Sequence, residues 1–299
     1  MGVTRALRDA REALHDAGLR GSFLVRDLDT GDELGIDAEL EFPIASLVKV
    51  PLAIATLERA TRGELDPATP VEVRPGGAVP HPTGLGRFRH PATVALDDLL
   101  YLSVAVSDGI AADAVFALTP PAAVTAELRR LGHDGIVVRH LMRDLVDTPA
   151  ERFAPAEAHL AQSLAISAAT EGQGHPVAQL DVSRANSGSA RAFVDLLRGL
   201  WRPTTIRPEV ATRVRELMGD NVLRQRLAPD FSSDASRWSS KTGTLLNLRH
   251  EVGVVEHADG GMYAIAALTA SRVPAAIQPE AEVLMARVTR ALRDHLREG

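Results

Sequence analysis

Phe42-Pro43-Ile44-Ala45-Ser46-Leu47-Val48-Lys49 leads into a segment whose apolar residues recur at helical spacing, at Val48, Leu52, Ala55 and Leu57. Pro51 falls within the first turns, where a helix tolerates it. The pattern predicts a helix from Ser46 to Ala60, with Ser46 at its N-terminus and Lys49 projecting from the same face one turn later. Of the 33 basic residues only two are lysine, Lys49 and Lys241, and the rest are arginine. Arginine stays protonated at any workable pH, whereas a buried lysine can lose its proton and act as a base, or serve as a compact ammonium donor. The two lysines therefore mark positions where a guanidinium fails.

The second lysine opens Lys241-Thr242-Gly243-Thr244, and Ser107-Asp108-Gly109 lies between the two. Taken singly, each motif has a bland explanation: Ser-x-x-Lys as an exposed polar pair on a helix, Lys-Thr-Gly as the end of a surface strand. In this order they are far more specific. Together they resemble the Ser-x-x-Lys, Ser-Asp-Asn and Lys-Thr-Gly set of class A β-lactamases and penicillin-binding proteins. Sixty-one residues separate Ser46 from Ser107 and 134 separate Ser107 from Lys241, which leaves room for one helical lobe. The resemblance runs from about Arg20 to Ser271.

Outside the motifs, Leu7, Ala10 and Leu14 fall on one face of an N-terminal amphipathic helix. Gly21 to Asp27 and Glu33 to Ile36 read as a hairpin about the Asp29-Thr30-Gly31-Asp32 turn. Arg74 to Pro91 reads as a long Gly-, Pro- and His-rich loop. Helices are expected at 97–106, 110–118, within 155–169, and at 189–201 behind a Ser189 cap. Trp238 to Thr244, Glu251 to Glu256 and Met262 to Ala270 read as strands, followed by a closing amphipathic helix over 279–296. This order fits the α/β architecture that the resemblance implies, β-lactamase/transpeptidase-like: an antiparallel sheet flanked by helices, plus an all-helical lobe. The α/β lobe is expected from residues 1–45 and 190–299, and the helical lobe from 46–189, with an expanded loop over 143–183.

Acyl transfer needs an activated hydroxyl, a base, a proton path and an oxyanion hole. The resemblance makes Ser46 the nucleophile, Lys49 the group that holds or removes its proton, and Ser107 the relay to the leaving group. The backbone N–H groups of Ser46 and Thr244 would form the oxyanion hole. Lys241, Thr242, Gly243 and Thr244 would bind a substrate carboxylate, with Arg249 adding a second positive charge. No metal and no cofactor is implied.

Two positions depart from the family pattern. Gly109 stands where Ser-Asp-Asn has its amide, so contacts to Lys49 and to a substrate acyl-amide oxygen are lost there. Met142 falls near the place of the glutamate that activates the deacylating water in class A enzymes. Asp144 is close but out of register; Glu151, Glu157 and Glu171 follow in what reads as an insertion and could substitute for that glutamate, although each is expected first as a solvated surface residue. The histidines show no metal-ligand spacing; His250, next to Arg249, is expected as a partly exposed polar residue, with a place lining the cleft as the alternative.

The net charge of −6, without a basic tract or aromatic-basic stripe, argues against a nucleic-acid partner. No apolar run is long enough to span a bilayer, so no membrane partner is expected. The absence of cysteine excludes disulfides, thiolate metal sites and a Cys nucleophile. The N-terminus shows no secretory h-region, so the chain as written reads as cytoplasmic, or as secreted or periplasmic if a signal peptide has been removed. The expected partner is a small molecule: a β-lactam, peptide or ester. The leading expectation is a serine acyl hydrolase with weak β-lactam turnover. The alternatives are a DD-peptidase, an esterase or acyltransferase on a small metabolite, and a protein that β-lactams acylate without turnover.

Overall fold

The computed structural model describes residues 2–74, 83–148, 153–157, 159–167, 174–275 and 277–298. The chain begins with α1 (Val3–Asp16), β1 (Leu19–Asp27), β2 (Glu33–Ile36) and β3 (Glu41–Pro43). A 3₁₀ turn over Ala45–Val48 then feeds α2 (Lys49–Thr61). After it come β4 (Pro70–Val73), β5 (Ala92–Ala95), α3 (Leu96–Val104), α4 (Gly109–Leu118), α5 (Pro121–Arg130), α6 (Met142–Val146) and α7 (His159–Ser167). The last third holds β6 (Ser187–Ser189), α8 (Ala190–Trp201), α9 (Pro208–Gly219), α10 (Ala228–Phe231), β7 (Ser236–Leu245), β8 (Leu248–His257), β9 (Met262–Ser271) and α11 (Pro279–Glu298).

Five strands form one antiparallel sheet in the order β2-β1-β9-β8-β7, so the two ends of the chain build it together and β7 is an edge strand. Both faces of the sheet are covered. Phe23, Val25, Ile265 and Ala267 point into one apolar cluster with Leu14 of α1 and Met285, Val288 and Leu292 of α11. Leu24, Ala264, Ala266 and Leu268 point into the other, which continues through α2, α8 and α9. Burial on both sides explains why β9 reads as an almost unbroken apolar run instead of an alternating one. The β4–β5 pair flanks the predicted loop over 74–91, of which residues 75–82 lie outside the described residues. Among the described residues no single helix is long and apolar enough to cross a membrane.

α2 is buried all round from Lys49 to Glu58, as expected of a helix in the centre of a lobe. Its far end is tied down by charge. The Glu58 carboxylate has no exposed surface and meets the guanidinium groups of Arg130 and Arg207, with Arg62 at 3.9 Å. Its other oxygen accepts the backbone N–H of Arg207 at 2.8 Å, which joins the start of α9 to α2.

Candidate active site

Helical geometry starts at Lys49, and the predicted first turn is instead a 3₁₀ turn. Ala45 enters that turn with φ of +46°, in the left-handed region that costs a residue with a Cβ energy. From Phe42 to Val50, Ser46 alone is not fully buried, so its hydroxyl is offered to solvent from an otherwise packed segment. The Lys49 Nζ, one turn on, lies 3.3 Å from Ser46 Oγ, 3.3 Å from Ser107 Oγ and 2.7 Å from the Ser107 carbonyl oxygen.

Ser107 is fixed between α3 and α4 with φ of +62°. Its neighbour Asp108 explains how the turn is held. Asp108 Oδ1 accepts the N–H groups of Ile110 and Ala111, capping α4, and Oδ2 accepts the N–H of Leu85 at 2.5 Å. A Cβ on Gly84 would collide with that carboxylate, so glycine is required there. The acid of Ser-Asp-Gly is thus a brace for the serine before it.

Lys241 reaches the same place from β7. Its Nζ lies 2.9 Å from Ser107 Oγ and 3.0 Å from the Thr242 carbonyl. Gly243 is where β7 crosses the 3₁₀ turn: a Cβ would lie 2.9 Å from the Ile44 carbonyl oxygen and 3.1 Å from Leu47 Cγ. A side chain at 243 would push the strand away from Ser46. As an edge strand β7 also keeps backbone groups that no neighbouring strand uses, the condition for presenting an N–H to a substrate.

Burial dominates the charge balance. It pushes the Lys49 amine down to about 8, against the opposing fields of Asp108 and Asp113. Lys241 is pushed well below the ordinary lysine value, by burial first and then by the charges of Lys49 and Arg226, with Glu251 acting the other way. A neutral Lys49 is able to accept the Ser46 proton, and the Ser107 hydroxyl connects both amines.

Several residues stand differently from expectation. Arg249 turns its guanidinium onto the carbonyls of Leu246 and Leu248. It is the register partner of Thr244 and shares the sheet face of Arg226 and Glu251, opposite to Lys241. His250, expected as a partly exposed residue, is fully buried: Nδ1 accepts the Thr269 N–H at 3.1 Å, so Nε2 carries the proton and donates to the Pro43 carbonyl at 2.9 Å. Burial pushes its pKa down to about 3, so it ties β8 to β3 as a neutral ring. Thr244 is exposed and its hydroxyl accepts from Arg226, whereas Thr242 is buried. Met142 is the first residue of α6; its side chain lies in the apolar core and its N–H donates to Asp113 Oδ1 at 2.7 Å. Asp113 Oδ2 takes the Arg143 N–H at 3.0 Å, so this carboxylate caps α6. Asp144 accepts the Leu141 N–H at the same helix end. Glu157 is exposed, and Glu151 and Glu171 lie outside the described residues.

Sequence reasoning missed Arg226 and passed over Glu251 within an expected strand. Arg226 sits behind β7, bonding the carbonyls of Gly243 and His250, the Thr244 hydroxyl and Glu282. Nothing marks it among so many arginines. Glu251 left a faint signal, as an acid at the head of the apolar run Val252-Gly253-Val254-Val255.

The comparisons with known proteins agree with one another. The sequence model of the beta-lactamase enzyme family matches residues 4–296. The beta-lactamase regulatory protein BlaB of Streptomyces cacaoi is 64% identical over 304 residues, covering 98% of this chain and 97% of the relative. A β-lactamase from Chitinophaga pinensis superimposes with a TM-score of 0.78 at 20% identity, covering 98% of this chain and 99% of that one. PBP-A superimposes with a TM-score of 0.77 at 16% identity, covering 99% and 97%. At such identities the two structures bear on fold alone, and the fold is β-lactamase/transpeptidase-like. With the family match spanning nearly the whole sequence, the chain belongs to the beta-lactamase enzyme family.

Proposed function

We propose that this protein forms an acyl-enzyme on Ser46 with β-lactams or related amides and esters, and releases the acyl group slowly. The observation that carries this reading is the hydrogen-bonded line from Ser46 Oγ through Lys49 Nζ and Ser107 Oγ to Lys241 Nζ. Neutral Lys49 takes the Ser46 proton as Oγ attacks the carbonyl carbon. The tetrahedral oxyanion is met by the N–H groups of Ser46 and Thr244. Collapse breaks the C–N or C–O bond, and Ser107 delivers a proton to the leaving atom while the lysines replenish its own. Lys241 receives the substrate carboxylate.

Slow release is supported by the groups around α6. Class A enzymes deacylate with a glutamate in this region, where this chain has Met142 packed in the core and Asp113 engaged by two backbone N–H groups. A regulatory or sensing role, in which the long-lived acyl-enzyme is itself the signal, is favoured by the name of the 64%-identical Streptomyces relative, a beta-lactamase regulatory protein.

The test is intact-protein mass followed over time with benzylpenicillin and a chromogenic cephalosporin. We expect an adduct that forms within minutes and persists far longer, and none on Ser46→Ala. No adduct on the wild-type protein at millimolar β-lactam, with no turnover, overturns the reading.

A further inference from the structure

The Glu251 carboxylate has no exposed surface, yet no mechanistic step above uses it. It accepts three donors: the Leu227 N–H at 2.8 Å on one oxygen, and on the other the Trp238 indole N–H at 2.9 Å and the Ser240 hydroxyl at 2.7 Å. Ser240 precedes Lys241, and Leu227 follows Arg226. The acid therefore grips both the strand segment that carries Lys241 and the turn that carries the buried guanidinium. Asn221 completes the group by donating to Ser240 Oγ at 3.1 Å.

We propose that Glu251 is a positioning residue of this site: ionised and buried behind β7, it is the counter-charge that lets Lys241 carry its proton and present an ammonium to an anionic substrate. The inference rests on the proposed function only for the substrate; the charge relationship stands on the geometry. Two of the three groups around the carboxylate are N–H donors that cannot accept, an arrangement that suits the anion; a protonated acid would have to turn its hydrogen on Ser240 Oγ and lose the bond that this hydroxyl donates. Burial is the largest influence and raises the Glu251 pKa above the ordinary carboxylate value, while the three hydrogen bonds and Arg226 oppose it and favour the anion.

The charges bearing on the pair all have places. Arg226 and Arg249 share the face of Glu251, and Glu282 of α11 pairs with Arg226. On the other face Lys49 meets Lys241 across the Ser107 hydroxyl, and Asp108 and Asp113 act on Lys49. Lys49 and Arg226 both weaken the hold of Lys241 on its proton, and Glu251 is the anion that opposes them. Across the thickness of one sheet inside a protein, a unit charge alters a proton affinity by about tenfold.

Having only two lysines in the chain makes the test direct. Protein labelled with ¹³C at lysine Cε gives one signal from Lys49 and one from Lys241, assigned with Lys241→Arg. We expect Glu251→Gln to weaken the proton affinity of Lys241 by about tenfold, and Glu251→Asp, which keeps the charge, to leave it within about threefold of wild type. An unchanged midpoint in the Gln variant overturns the proposal. So does a tenfold fall in the Asp variant, which would make side-chain packing the cause and which remains readable if the Gln variant does not fold. Acylation is then measured with benzylpenicillin and with a neutral nitrophenyl ester. Glu251→Gln should lower the penicillin-to-ester rate ratio at pH 8 and recover it toward pH 6; equal losses on both at every pH overturn the positioning role. Absence of wild-type acylation would strike the proposed function and leave the lysine titration to decide the role of Glu251.

Discussion

Lys49 and Lys241 meet on one oxygen: their Nζ atoms lie 3.3 and 2.9 Å from Ser107 Oγ. Two buried amines sharing a hydroxyl cannot both hold a proton cheaply, because burial disfavours each charge and their mutual repulsion adds to it. The arrangement divides labour. On the proposed reading Lys49 is left neutral to serve as base, and Lys241, supported by Glu251 behind the strand, keeps its proton for an arriving carboxylate.

Acylation should follow the free amine of Lys49. Its rate constant should rise with pH and level off above about 8, the value to which burial lowers this amine. Lys49→Arg keeps the charge and cannot deprotonate, so acylation should fall by roughly 10²-fold or more. Stopped-flow rates against pH check both, and near-normal rates in the variant would make Lys49 an electrostatic partner only.

The same amine affects stability. Its folded-state pKa lies below the unfolded value, so the unfolded chain binds more protons between the two and stability rises with pH through that window. Lys49→Met should therefore be inactive yet more stable at pH 7, by on the order of 1–3 kcal/mol, with the gain shrinking by pH 10. Urea unfolding at both pH values measures it, and a destabilised variant would contradict the assignment.

Lys241→Arg should keep measurable activity while raising KM for carboxylate-bearing substrates, with neutral esters suffering less. Arginine retains the charge and loses the compact fit beside Ser107. Parallel kinetics on the two substrate types decide the matter, and equal losses would contradict carboxylate binding.

Met142→Glu should shorten the life of a penicilloyl adduct, since its backbone bonds Asp113, whose field already reaches Lys49. A carboxyl group buried in this apolar setting should cost at least about 1–3 kcal/mol of stability, the range for a neutral polar group, and more when it ionises. Intact mass against time, with a urea titration beside it, reads both effects. An adduct lifetime unchanged in a folded variant would mean that α6 does not aim this side chain at the acyl group.

Glu58→Ala should be destabilising, by about 1–3 kcal/mol, because the Arg207 backbone N–H loses its buried acceptor and the partly exposed guanidinium groups of Arg130 and Arg207 lose an ion-pair partner. Urea unfolding tests this, and a loss below about 1 kcal/mol would show that solvent readily replaces the carboxylate.

The fold class and the four polar side chains that converge were legible in the chain alone. Ser46, Lys49, Ser107 and Lys241 stand in short motifs whose residue types are rare in this chain or tightly ordered, and β1, β2, β7, β8 and β9 announce themselves by apolar runs between turns. Neither α5 and α9 nor the short β3–β6 and β4–β5 pairs could be read in advance, because their patterns are too brief or too polar to stand out. Where the charges face was settled by folding. Arg249 lies two residues from Glu251 and five from Thr244 in sequence, and strand register placed it on the face opposite Lys241. His250 became a neutral tie because the Pro43 carbonyl and Thr269 N–H close on it from distant segments. Arg226 became the clamp on β7 for the same reason. Periodicity and motif spacing are local properties of a chain, whereas desolvation and hydrogen-bond partnership are set by whatever folding brings alongside.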